Sequence, residues 1–102
     1  MAETEGLASK VESKVKRVVD PETGLTLGEM GLVKSVKEVE SGVIRVDFAP
    51  SSPYCPIALK LAMDIKRAAE NVSGVKKALV YCRGHIMEDA INRVVNEGQP
   101  IR

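Results

Sequence analysis

The stretch "SSPYCPIALKLA", residues 51–62, sets a cysteine at a corner of the chain. Cys55 has Pro53 two residues before it, Pro56 directly after it, and then an apolar run. Proline suits the first position of a helix, because it has no N–H to leave unpaired and its φ is already helical. Pro56 in that place makes Cys55 the N-cap, close to unpaired amides and to the positive end of the helix dipole. Such surroundings favour the thiolate, the form that nucleophilic attack and soft-metal ligation both require. Ser51 and Ser52 add hydroxyls to the same loop. The competing reading of these residues is a partly buried thiol that serves as a small apolar cap beside two turn-forming prolines.

Two more residues at a second corner could join this chemistry. Cys82 ends an apolar run and is followed by Arg83-Gly84-His85, where His85 is the only histidine. With 26 residues between them, the cysteines match neither a zinc site nor a CxxC redox pair. If the strands that precede the two corners are parallel neighbours, their C-terminal ends share one edge of the sheet, where α/β sites form. Cys55 and Cys82 then approach each other, and His85, disfavoured as imidazolium at a helix start, is free to ligate or to accept a proton. The plainer readings are a buried strand-end thiol and a surface histidine.

The whole chain limits what this chemistry can serve. At 102 residues it is long enough for one domain with one core. With 15 basic and 14 acidic residues the net charge is +1, which is no footprint for nucleic acid. Lys10, Lys14, Lys16 and Arg17 cluster, but Glu12 interrupts them, as on a solvated helix face. No apolar run is long enough to span a membrane, and the acidic, polar start resembles neither a signal nor a transit peptide. A cytoplasmic chain is expected, and there the two thiols stay reduced.

The elements that must position the two corners follow from periodicity. Leu7, Val11, Val15, Val18 and Val19 share a helical face, and Pro21 is expected to end that helix. "DPETGLTLGEMG" reads as a loop. "LVKSVKEV" and "VIRVDFA" read as a hairpin turned at Glu40-Ser41-Gly42. From Pro56 to about Asn71, Ile57, Leu61, Ile65, Ala68 and Val72 make a second amphipathic helix. "VKKALVYC" is a third strand, and residues 86–97 a last helix with Ile86, Ala90, Ile91 and Val94 inward, stopped by Gly98 and Pro100. The expected fold is α/β (α+β), a single small domain in the order α-β-β-α-β-α. A mixed three-stranded sheet packs with the helices, and its last two strands are parallel across the crossover. Residues 1–6 are expected to be a flexible end, 7–98 the domain and 99–102 a tail.

"VKRVVDPETGLTLGEMGLVKSV", "SSPYCP" and "GVKKALVYC", in that order, resemble the iron–sulfur cluster assembly domain family, once catalogued as a domain of unknown function. It includes SufT-like and PaaD-like proteins and the eukaryotic cytosolic iron–sulfur targeting subunit. The family pattern falls on Asp20-Pro21-Glu22, Gly31-Leu32-Val33, Ser51 to Pro56 and Gly74-Val75, across roughly residues 10–85. Ser51 stands where threonine is usual, which keeps the hydroxyl. After the third strand, Cys82-Arg83-Gly84-His85 replaces a Pro-Trp segment found in many members.

The resemblance implies a factor that assembles, carries or targets iron–sulfur clusters. Cys55 would be its functional thiol and cluster ligand, with Asp20, Glu22, Ser51 and Ser52 in support. Cys82 and His85 are the candidates for a second ligand. A labile, transient iron–sulfur cluster is the expected cofactor, since two cysteines cannot supply the usual four ligands. Expected partners are iron–sulfur assembly proteins or client apoproteins, with a homodimer as one route to a full ligand set. Two other classes compete. One is a cysteine-dependent enzyme with Cys55 as nucleophile and His85 as base, which needs a thiol–imidazole contact and a third orienting group. The other is a non-catalytic interaction module that dimerises through helix 56–72.

Overall fold

Two runs of strict alternation, "VIRVDF" and "KALVYC", build the centre of the molecule. Ile44, Val46 and Phe48 of the first and Ala78, Val80 and Cys82 of the second are fully buried, while the residues between them face away. The computed structural model describes residues 6–97. Its elements are α1 (Leu7–Val15), α2 (Leu27–Met30), β1 (Val33–Glu40), β2 (Val43–Phe48), α3 (Ala58–Glu70), β3 (Lys77–Cys82) and α4 (Glu88–Glu97). The sheet order is β1-β2-β3, with β1 antiparallel and β3 parallel to β2. This is the mixed three-stranded α+β domain that the sequence predicts, with one extra short helix.

The hairpin turns through Ser41 and Gly42. Gly42 has φ +80°, and a Cβ there would lie 2.8 Å from the Lys76 side chain, so two constraints select glycine. β1 carries register shifts at Val33/Ser35 and Glu38/Glu40, which explain why its pattern alternates poorly. The helices place Val11 and Val15 of α1, Leu61 and Ile65 of α3, and Ile91 and Val95 of α4 in one core with the inward strand residues.

Several boundaries differ from expectation. The first helix stops at Val15, not at Pro21, and Val19 is 51% exposed. Val18 and Val19 are β-branched and favour extended backbone. There the chain pairs with the segment that returns: Leu27 N–H donates to Val18 O (2.8 Å) and Gly28 N–H to Lys16 O (3.0 Å). Within the expected loop lies α2, closed by a capping box in which Thr26 and Glu29 each accept the other's backbone N–H. The third helix begins at Ala58, because Ile57 sits at φ −108°, ψ 18°. Cys55 therefore stands two residues ahead of the N-cap and is not the cap itself. Of the expected ends at 1–6 and 99–102, residues 1–5 and the whole tail lie outside the described residues, as does the Gly98 and Pro100 stop, while Gly6 is the N-cap of α1.

The last helix differs most. It starts at Glu88, and Ile86, Ala90 and Val94 are exposed, leaving only Ile91 of the expected inward set buried. β3 is an edge strand, and this sets the rotation of the helix. Lys77 and Arg83 donate to β2 through Gly42 O and Phe48 O, so Ala78, Val80 and Cys82 aim their backbone groups outward. Asn92 Oδ1 accepts the Cys82 N–H (2.6 Å) while its Nδ2 donates to Cys82 O (3.2 Å). Asn96 Oδ1 accepts the Val80 N–H (2.7 Å). From α3, Glu70 accepts the Ala78 N–H (3.2 Å) and Lys66 donates to Ala78 O (2.6 Å). Side chains thus take up five of the six outward backbone groups of Ala78, Val80 and Cys82.

Asn92→Ala should lower stability by about 2 kcal/mol, because it strips partners from two main-chain groups of a fully buried residue. Exposed Arg93→Ala should stay within about 0.5 kcal/mol of the parent. Urea denaturation of the pair checks this, and equal losses would show that the edge bonds carry no stability.

Candidate functional site

Cys55 lies in the crossover between β2 and α3. Its N–H donates to Ser52 O (3.1 Å), and its own carbonyl accepts the Ala58 N–H (3.3 Å). The loop therefore turns tightly before the regular ladder starts with Leu61 N–H to Ile57 O (2.9 Å). Ser52 Oγ accepts the Tyr54 N–H (3.1 Å), so this serine shapes the loop, and Ser51 is exposed. The thiol residue itself is buried, 6% exposed.

A second loop, Arg83–Met87, is stitched to the first. Ile86 N–H donates to Pro53 O (3.1 Å). His85 Nδ1 accepts the Met87 N–H (3.0 Å), which places the ring proton on Nε2, and Nε2–H donates to the Cys55 carbonyl (2.9 Å). The histidine is a buckle between two loops, held by main chain on both nitrogens. The cysteine-enzyme reading needs the imidazole on the thiol and a third group orienting the ring. Here the ring contacts the cysteine through its carbonyl, and a backbone amide takes the orienting position.

Cys82 joins Cys55 in the core at the same end of the sheet, as neighbouring parallel strands require. It is fully buried, and its thiol is pushed up to about 11, first by burial, then by the charge of Glu88, then by Cys55. Burial thus disfavours its thiolate. Asp20 is 2% exposed, and its Oδ1 accepts the Glu22 N–H (2.8 Å) while its carbonyl accepts the Thr23 and Gly24 N–H groups (3.3 and 2.7 Å). These bonds close its own turn, and Glu22 is exposed.

A groove of about 360 Å³ opens beside the cysteine, with Cys55 and His85 among its lining and Tyr54, Leu59, Met87 and Val94 on its walls. Sequence reasoning missed this groove, along with the two asparagines that orient its far wall. Asn92 and Asn96 share a helical face, and an i, i+4 amide pair beside a strand end was the signal to read.

Among the described residues no group of three His, Cys, Asp or Glu is arranged to hold a metal ion. Cys82 is fully buried and both His85 nitrogens are engaged by main chain, so Cys55 is the thiol with some solvent exposure at this end. A four-ligand cluster does not fit one chain. Among the described residues no helix is long and apolar enough to cross a membrane.

A two-layer α+β domain with a thiol at its crossover corner defines the class. Its fold matches the crystal structure of a domain of unknown function from Bacillus anthracis, with a TM-score of 0.72, 24% identity and full coverage of both chains. Residues 8–80 match the model of the iron–sulfur cluster assembly protein family, and the chain belongs to that family. It is 34% identical over 87 residues to an uncharacterized protein of Methanocaldococcus jannaschii, covering 85% of this chain and 92% of that one. It is also 30% identical over 77 residues to the Fe–S protein maturation auxiliary factor YitW of Bacillus subtilis, covering 76% of each.

Two measurements probe the corner. Replacing His85 by Ala should unpin the loop and speed alkylation of Cys55 several-fold. His85→Gln, whose amide can still donate to the Cys55 carbonyl, should stay near the parent rate. Mass-spectrometric labelling at neutral pH reads both. For Cys82, an unfolded chain ionises its thiol near pH 9, whereas the folded chain waits until about 11. The unfolded state then binds fewer protons, so this residue's contribution to stability is complete below about pH 9 and is lost as pH rises through 11. Urea midpoints from pH 8 to 11 should fall more steeply in the parent than in Cys82→Ala.

Proposed function

We propose that the chain acts in the maturation of iron–sulfur proteins as a non-enzymatic transfer or targeting factor, with Cys55 as its functional thiol. The observation that carries this reading is the position of Cys55. It lies within the segment matched by the iron–sulfur cluster assembly family, just ahead of a helix and at the lining of an open groove. The name of the Bacillus subtilis relative supports the same process.

The cluster is cargo, not a resident group. Cys55 offers one soft ligand, and the remaining donors come from an assembly protein, a client apoprotein or a small thiol. Contact is transient because one thiolate holds a cluster weakly, which suits delivery. His85 and Ser52 act through the loop by fixing the position of the thiol. Asp20 supports at a remove, by holding the 20–24 turn. The reducing cytoplasm is the compartment in which this free thiol would persist.

Cys55→Ala should abolish client maturation while the fold persists. Alanine removes the soft ligand and only a small volume from a position that retains some solvent contact. Activity of an iron–sulfur client in cells carrying the variant, with circular dichroism of the purified protein, reads the two effects separately. A Cys55→Ala chain that supports maturation like the parent would overturn the assignment.

A further inference from the structure

The face of the sheet turned away from the core has a charge pattern of its own. Arg45, Asp47, Leu79 and Tyr81 point outward and stay half-buried, while α1, α3 and α4 pack their buried residues with the inward strand residues. Strand register sets Lys37 beside Arg45, and both Lys77 and Glu40 beside Val43, on this outer face. With Arg83, which follows the inward Cys82, four cations there stand against the two carboxylates of Asp47 and Glu40. Positive charge is in excess on this face of a chain whose net charge is only +1.

Tyr81 is the centre of the pattern. The Arg45 guanidinium lies over its ring, 4.3 Å from the centroid, and that of Arg83 at 5.8 Å. Both guanidinium groups turn to one carboxylate. Arg45 Nε–H donates to Asp47 Oδ1 at 3.0 Å, whereas Arg83 comes only within 3.7 Å of Oδ2, beyond hydrogen-bond range. Among the described residues Arg45 uses one of its guanidinium donors and Arg83 none. Stacking holds a guanidinium by its face and leaves its edge N–H groups for a planar carboxylate. One carboxylate neutralises half of this pair, so the pair can take a second.

We infer that this face docks an acidic segment of a partner protein, through carboxylates held by Arg45 and Arg83. The chemistry favours protein over nucleic acid. Tyr81 already carries an arginine on its ring, which spends the surface on which a base would stack. Val43 and Leu79 set apolar contact among the cations, which the side chains of a peptide use and a phosphate backbone does not. Arg83 opens the loop that carries His85, so the segment docks at the end of the sheet where Cys55 is held. The inference goes beyond the role proposed for Cys55 and does not depend on it.

The probe is a short fluorescein-labelled peptide of repeated Glu-Glu-Leu, compared with repeated Gln-Gln-Leu and with an oligouridine RNA. Anisotropy with the full chain at low salt should give a dissociation constant of about 100 μM for the acidic peptide, and binding about tenfold weaker or less for the other two. Arg83→Gln, at an exposed position, should weaken the acidic peptide about fivefold, and Arg45→Gln combined with it about 20-fold, with circular dichroism unchanged. Lys10→Gln with Lys14→Gln, both exposed on α1, should bind like the parent, and so should Cys55→Ala. NMR shifts on titration should centre on Arg45, Leu79, Tyr81 and Arg83. Glutamine peptide or RNA that binds as tightly as the acidic peptide, an Arg83→Gln chain that binds like the parent, or shifts centred elsewhere would overturn the inference. Any of these leaves the maturation test of Cys55→Ala standing, and a failed maturation test leaves the anisotropy unchanged.

Discussion

β3 pairs on one side only, and its other side must still be satisfied. Backbone N–H and C=O groups at Ala78, Val80 and Cys82 belong to fully buried residues, where an unpaired group costs about 1–3 kcal/mol. A fourth strand would be the usual solution. This chain uses four side chains from two helices: Lys66, Glu70, Asn92 and Asn96. Most of the edge is taken up, which hinders pairing with other chains, and the last helix is locked in rotation and register.

That lock reaches the thiol through short links. Asn92 holds Cys82, Cys82 precedes the loop that carries His85, and His85 bonds the Cys55 carbonyl. Cys55 is therefore positioned from both sides, by its own tight turn and by a loop whose far end is fastened to the sheet. The same lock turns the apolar stripe of α4 outward and makes a wall for the groove. Positioning of the thiol and exposure of the surface beside it have one cause.

The sequence makes some of this legible. Alternation in β2 and β3 and the spacing of Leu61 and Ile65 report burial directly, so the sheet, the crossover and the meeting of the two cysteine corners follow from pattern. What pattern cannot report is a competition between burial and hydrogen bonding. For α4, hydrophobic spacing favours Ile86, Ala90 and Val94 inward, and the unpaired edge of β3 outweighs it. The end of α1 and the entry to α3 were missed for a similar reason. Long-range pairing of Val18 with Leu27, and one non-helical residue at Ile57, decide them. Thr26-Leu27-Gly28-Glu29 was readable as a capping box and marks α2. At the site, Cys55 is conspicuous by its prolines, but the part played by His85 depends on a contact 30 residues away along the chain.

The family match ends at residue 80, between the two halves of this arrangement. The thiol corner lies inside it, and α4, with its asparagines and outward apolar residues, lies beyond. Among the described residues, Asn92 and Asn96 tie that helix to the strand by specific polar bonds, and the positions facing solvent are under no such obligation. A lineage could therefore rewrite the outer stripe of α4 freely, changing which surfaces are admitted next to the thiol while its chemistry stays as it was. The helix works as an exchangeable faceplate on a fixed fitting.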